Sequence, residues 1–192
     1  MQVAMKWNRK QQEIKNCTRC AEDLPDLNVV CPPEILYPDP PKPVQVIFVG
    51  VAPPRPGDHF YSNGKDKLQL GLFKILAKKT EQCKTICDFL DNGLLLLHTA
   101  KCPILDTWKP NKKVSLHCSS IHLMKEIESL SPKAVCFLSK SIGLPVMQNL
   151  LSKWGISTPV SFGTVSKVKI ANHWTHFIAT AWPGRGWENK TE

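Results

Sequence analysis

The order of apolar runs along the chain predicts an α/β protein. Three observations carry the prediction. Short runs rich in β-branched residues or leucine have the character of strands buried on both faces of a parallel sheet. Segments of helical character lie between them, which is the alternation of β-α-β units. Near the end of the chain, two further apolar runs flank a polar turn.

Taken in order, the first thirty residues begin with a basic amphipathic stretch, read as a helix, that runs into Cys17-Thr18-Arg19-Cys20. The segment from Cys31 to Pro43 holds six prolines. Prolines withhold backbone donors and force extended or turn conformations, so this is a connector. Val44 to Val49 is the first strand and ends at Gly50. Residues 67 to 80 and 83 to 91 are helical, and Gly93 to Leu97 is the second strand. Residues 116 to 130 are helical, Ala134 to Ser139 is the third strand, and 140 to 153 is helical again. Lys167 to Ala181 reads as two strands around Ala171-Asn172-His173, a hairpin whose second arm enters the sheet. Residues 1–192 form one domain in this reading, with 1–43 part of it. In an open α/β sheet a ligand lies beyond the carboxyl ends of the strands. That rule selects four loops: Gly50 to Gly64, His98 to Lys113, Ser139 to Gly143, and Trp182 to Trp187.

With 42% apolar residues in 192, the chain can bury a sizeable core. It has no apolar run of membrane-spanning length, and its first residues lack the apolar core of a signal peptide. A soluble, monomeric protein of the cytoplasm or nucleus is expected. Twenty-five Lys and Arg stand against 16 Asp and Glu, a formal net charge of +9. Such a surplus favours a polyanionic partner, nucleic acid first. Eight cysteines without an export signal do not suggest a disulfide framework, because intracellular thiols are kept reduced. Metal binding or burial has to explain them.

The cysteine spacing is the most specific signal. Cys17 and Cys20 form a C-x-x-C pair, and Cys102 and Cys118 stand sixteen positions apart. Four thiolates suit a [4Fe-4S] cluster. Zinc also accepts four cysteines, although the second pair is too widely spaced for a zinc knuckle, and plain burial is the remaining alternative.

The chain resembles the uracil-DNA glycosylase superfamily, closest to its iron-sulfur family 4 type. That family has an N-terminal C-x-x-C, a strand leading into K-C-x-P, and a fourth cysteine about sixteen residues later. Lys101-Cys102-Pro103 is similar, with its proline one place early. Gly50-Val51-Ala52-Pro53-Pro54 resembles the family's G-E-x-P-G loop. Ile127 through Gly143 resembles its helix end, strand and following turn, and Trp182-Pro183-Gly184-Arg185-Gly186 lies where the family has its H-P-S loop. The resemblance covers nearly the whole chain. It implies a three-layer α/β/α arrangement around a mostly parallel four-stranded sheet. It also implies a structural [4Fe-4S] cluster on Cys17, Cys20, Cys102 and Cys118. Cys31, Cys83, Cys87 and Cys136 are then spare or structural, with Cys31 or Cys83 the replacement if one ligand is misassigned.

The resemblance further implies removal of a damaged or deaminated base from DNA, single- or double-stranded. A flipped base has to be stacked and hydrogen-bonded in a pocket. Gly50, Val51, Ala52 and Pro53 would line it, and Phe60 or Tyr61 would stack on the base. Three positions depart from the family's pattern: Val51 replaces an acidic residue, His98 an asparagine that reads uracil, and Trp182 a histidine that stabilises the departing base. Two readings follow. Either Asp58 positions water while His98 or His59 donates to the base, or the protein binds nucleic acid without cleaving it. For DNA contact the candidates are Ser139 and Lys140, at a strand-to-helix junction, and Trp182, Arg185 and Trp187. Lys109, Lys112 and Lys113 form a basic loop that is either solvated or tracks a backbone.

Overall fold

The structure is a computed structural model that describes residues 2–31, 37–53, 60–61, 66–78, 83–102, 111–157, 159–170 and 172–183. Its centre is a five-stranded sheet in the order β2-β1-β3-β5-β4. The strands are β1 (Val46–Gly50), β2 (Leu94–His98), β3 (Ala134–Leu138), β4 (Ser166–Ile170) and β5 (His173–Thr180). β1 pairs in parallel with β2 and β3, and β5 pairs in parallel with β3. β4 runs antiparallel to β5 and forms one edge. The sheet therefore has five strands where four were expected, because both arms of the terminal hairpin pair into it.

Alternation along the strands sorts their side chains between two helical layers. Ile47, Val49, Leu95, Leu97, Val135, Phe137 and Phe177 face Leu123, Ile127, Val146 and Leu150, and Trp7 joins this core. These partners come from α1 (Gln2–Lys15), α6 (Met124–Leu130), α7 (Gly143–Lys153) and the turn that precedes α6. On the other face, Phe48, Leu94, Leu96 and Leu138 meet Leu68 and Leu72 of α3 (Lys67–Ala77) and Phe89 of α4 (Ile86–Asp91). Two shorter helices, α2 (Arg19–Asp23) and α5 (Lys112–Cys118), stand near the carboxyl ends of β1 and β2. Among the described residues no helix is long and apolar enough to cross a membrane.

Local chemistry sets the boundaries. Asp66 accepts from the backbone N–H groups of Leu68 and Gln69 and so starts α3. Thr85 and Asp88 form a reciprocal capping box, which starts α4 at Ile86 rather than at residue 83. Asn111 caps α5, moving that helix's start four residues ahead of the predicted one. Gly93 lies outside β2 at φ +74°, where a Cβ would stand 2.5 Å from the Gln45 side chain, so this turn requires glycine. Between α5 and α6 the helix widens into a π turn over Ser119–Leu123, a feature that often re-aims side chains at functional sites.

Candidate functional site

The first loop and the segment after β2 are zipped together beyond the sheet. Thr99 and Ala100 donate their backbone N–H groups to Gly50 and Val51 oxygens, both at 2.9 Å, and the Thr99 hydroxyl donates to the Val51 oxygen at 2.5 Å. The extended pairing carries Cys102 to the carboxyl side of β2, beside α2 and α5. There Cys20 of α2, Cys118 at the end of α5, and Ala100 and Val114 form a small core, with Leu24, Leu27, Val29, Cys31 and Ala52 packed against it.

The thiols touch one another. Cys20 hydrogen-bonds with both Cys102 and Cys118. The Cys31 Sγ donates to the Cys102 Sγ at 3.2 Å, and the Lys101 backbone N–H donates to the Cys118 Sγ at 3.2 Å. Cys17 is half-buried, and Cys118 acts on it electrostatically. Among the described residues no group of three or more His, Cys, Asp or Glu side chains has the arrangement of a metal site. The hydrogen bond with Cys102 is the largest influence pushing the Cys20 thiol up to about 12. Its hydrogen bond with Cys20, together with burial, pushes Cys118 well up. At Cys102 the bond to Cys20 lowers the thiol, but burial and Cys31 outweigh it and leave it raised. Metal binding here therefore has to displace protons. Cys83 lies in the core on the opposite face of the sheet, Cys87 is exposed on α4, and Cys136 is within β3, so the replacement thiol next to the set is Cys31.

His98 ends β2 and is 4% exposed. Its Nδ1 is 3.0 Å from the Tyr37 hydroxyl. A Cβ on Gly50 would stand 3.0 Å from His98 Cδ2 and 3.3 Å from Nε2. The motif glycine is thus what lets the imidazole lie across the end of β1. Burial pushes the Tyr37 hydroxyl well above the ordinary phenol range. The phenol keeps its proton, and the tautomer of the imidazole sets which of the two groups donates in this hydrogen bond.

Behind this pair lies a buried polar group that the sequence did not announce. The Lys101 ammonium is 2.7 Å from Glu126, with both side chains at most 1% exposed, and lies 4.8 Å from the Tyr37 ring centroid. His122, presented by the π turn, is also buried. Desolvation, with help from the Lys101 charge, lowers it to about 4. Tyr37 sits in the proline-rich connector and Glu126 on an amphipathic helix, where a carboxylate ordinarily reads as solvated.

Other predicted residues have different surroundings. Phe60 is 1% exposed, edge-on to Tyr61, Phe73 and Phe89, so it is a core side chain with no free face for a base. The Tyr61 hydroxyl donates to the Leu96 oxygen at 2.9 Å and accepts the Leu96 N–H at 2.6 Å. It thereby covers the open edge of β2. Val51 and Pro53 are buried and Ala52 is half-buried. The Ser139 hydroxyl accepts the Ile142 N–H at 3.2 Å, a local turn bond, while Lys140 is exposed with its ammonium 5.6 Å from the Phe162 ring. Lys112 and Lys113 are exposed on the first turn of α5. Trp182 is 42% exposed. Asp58, His59, Pro54, Pro103, Lys109, Arg185 and Trp187 lie outside the described residues.

No protein-family model matches the chain, and no curated protein matches it.

Proposed function

We propose that the protein is a DNA glycosylase-like base excision protein of the uracil-DNA glycosylase superfamily, carrying a structural [4Fe-4S] cluster on Cys17, Cys20, Cys102 and Cys118. The observation that carries the reading is the convergence of thiols from distant parts of the chain. Cys20 hydrogen-bonds with both Cys102 and Cys118, Cys118 acts electrostatically on Cys17, and the group adjoins the loops at the carboxyl ends of β1 and β2. The donor set fits the group in kind. Iron-sulfur clusters take cysteine thiolates, and hydrogen bonds to the sulfurs tune them, as the Lys101 N–H is placed to do at Cys118. Such a cluster would tie α2, α5 and the segment after β2 into one unit.

His98 is the residue of this chain best placed to act on a base. With Nδ1 bonded to the Tyr37 hydroxyl, an imidazole in the tautomer protonated on Nε2 would donate to an oxygen or nitrogen on which negative charge develops as the base departs. Gly50 leaves the imidazole room at the end of β1. An imidazole offers one donor and one acceptor in a geometry unlike an asparagine amide, so a modified pyrimidine or a deaminated purine is as suitable a target as uracil.

The test is a panel of duplex and single-stranded oligonucleotides carrying uracil, hypoxanthine, xanthine or oxidised pyrimidines, incubated with cluster-loaded protein and then alkali. Cleavage at one base, abolished by His98→Ala, is the expected result. Silence across the panel rejects excision. A second reading, a nucleic-acid-binding member of the fold without turnover, draws on the low exposure of His98 and on Val51, whose side chain offers no base. Binding without cleavage selects it.

A further inference from the structure

The last third of the chain has a one-sided charge distribution. Between Glu128 and Glu188 there is no Asp or Glu, while Lys133, Lys140, Lys153, Lys167, Lys169 and Arg185 fall in that span. The sheet brings part of this span onto one surface. Cross-strand pairing sets Lys167 opposite His176 and Lys169 opposite Trp174. Directly paired residues share a face of the sheet. Pairing of β5 with β3 places His176 beside Ala134, and Ile178 beside Cys136, on the face that α3 and α4 cover over β1 and β2. At the hairpin that cover has ended: Lys167, Lys169 and His176 are exposed, and Trp174 is 57% exposed.

An exposed tryptophan near the tip of the hairpin keeps a large apolar ring in water. The Lys167 ammonium lies 5.2 Å from its ring centroid. Among the described residues neither Lys167 nor Lys169 has a carboxylate partner. We propose that this face of the β4–β5 hairpin is a binding track for single-stranded nucleic acid, with Lys167 and Lys169 on phosphates and Trp174 stacking on a base. Two cations flanking a flat ring are the elements of sequence-tolerant single-strand platforms, where a groove of positive charge follows the backbone and aromatic rings take the bases. A duplex hides its base faces, so the ring selects a single strand. An acidic peptide would use the lysines and leave the tryptophan idle. From Trp174 to its end at Thr180, β5 covers about 20 Å at ~3.3 Å per residue, which suits platforms that hold roughly 4–16 nucleotides. The site is distinct from the thiol pocket and from His98, and it does not depend on whether the crevice cleaves a base.

The experiment measures fluorescence anisotropy of a labelled, undamaged oligonucleotide of roughly 20 nucleotides with the full-length protein across a salt series. The same measurement uses its duplex, and polyglutamate serves as competitor. Lys167→Glu/Lys169→Glu should weaken single-strand binding at least about tenfold and lower the slope of log affinity against log salt by about 1.4, two contacts at ~0.7 each. Trp174→Ala should weaken single-strand binding about 5- to 100-fold with the salt slope unchanged, and Trp174→Phe should restore most of it. Circular dichroism verifies that each variant is folded. An unchanged affinity and slope in the lysine double variant overturns the proposal. So does Trp174→Ala that binds as the wild type does, or that loses duplex and polyglutamate binding as much as single-strand binding. That last result marks the face as a general polyanion or acidic-peptide surface. Because the oligonucleotide carries no damaged base, a failure of excision leaves this measurement intact.

Discussion

On the β2 side of the molecule, polar groups are buried against one another: Lys101 on Glu126, Tyr37 on His98, Cys20 on Cys102 and Cys118. On the β4 side, Lys167, Lys169 and His176 face solvent around an exposed tryptophan. Each buried group depends on its partner, because a charge or donor left alone in an apolar interior costs several times what an exposed one does. Substitutions on the β2 side should therefore affect folding and assembly first. Those on the β4 side should affect only what the surface binds.

The thiols give the sharpest way to break this contrast. Cys102→Ser should remove the absorbance near ~400 nm and most of the roughly four iron atoms per chain that a loaded cluster supplies, read by iron analysis and visible spectroscopy. Cys17→Ser should do the same, while Cys31→Ser should keep its iron. The reverse outcome for that last pair would transfer the fourth ligand to Cys31, which lies 3.2 Å from Cys102. Colourless protein that contains zinc and no iron would remove the cluster altogether.

The buried ion pair comes next. Glu126→Gln leaves the Lys101 ammonium buried without its counter-charge and should cost about 3–5 kcal/mol in urea unfolding. Lys101→Met/Glu126→Leu should recover most of that loss. By contrast Lys169→Glu, on the open face, should stay within about 0.5 kcal/mol. An equal loss from both would erase the distinction between the two sides.

The smallest effect is the pH dependence carried by His122. Burial lowers it to about 4 from an ordinary value of 6.5, so the unfolded chain takes up the proton more readily than the folded one. The stability gained by keeping it neutral is complete above about 6.5 and is lost as pH falls toward 4, by up to about 3 kcal/mol. His122→Leu should flatten that window in the difference between the two unfolding curves. A variant as acid-sensitive as the wild type would place the effect elsewhere.

Much of the architecture was legible because it rests on local patterns. Apolar runs of five or six residues marked β1, β2 and β3, and the polar turn at residues 171–173 marked the hairpin. The start of α3 at residue 67 was read correctly, and errors fell at boundaries such as those where caps at Thr85 and Asn111 decide the first helical residue. The antiparallel edge strand was seen in sequence but not counted into the sheet, since period alone does not say which arm of a hairpin finds a partner.

The site was less legible. Cys17, Cys20, Cys102 and Cys118 stood out by spacing, yet nothing in the sequence put Cys31 on Cys102. Phe60 has the composition of a stacking residue, and only its three aromatic neighbours show that it is core. Glu126 and His122 fall in the stretch 116–130, which the sequence marks only as helical. The π turn and the Lys101 ammonium make them interior.

The sequence by itself determined the alternation of strands and helices, the thiol-rich composition and the acid-free stretch between Glu128 and Glu188, because these depend on residue type and on neighbours a few positions away. Only the tertiary structure decided which thiols meet, which carboxylate answers Lys101, that Tyr37 holds His98, and that Lys167, Lys169 and Trp174 share an uncovered face. Those outcomes depend on strand order and on the packing of segments tens of residues apart, and no local pattern encodes such distances.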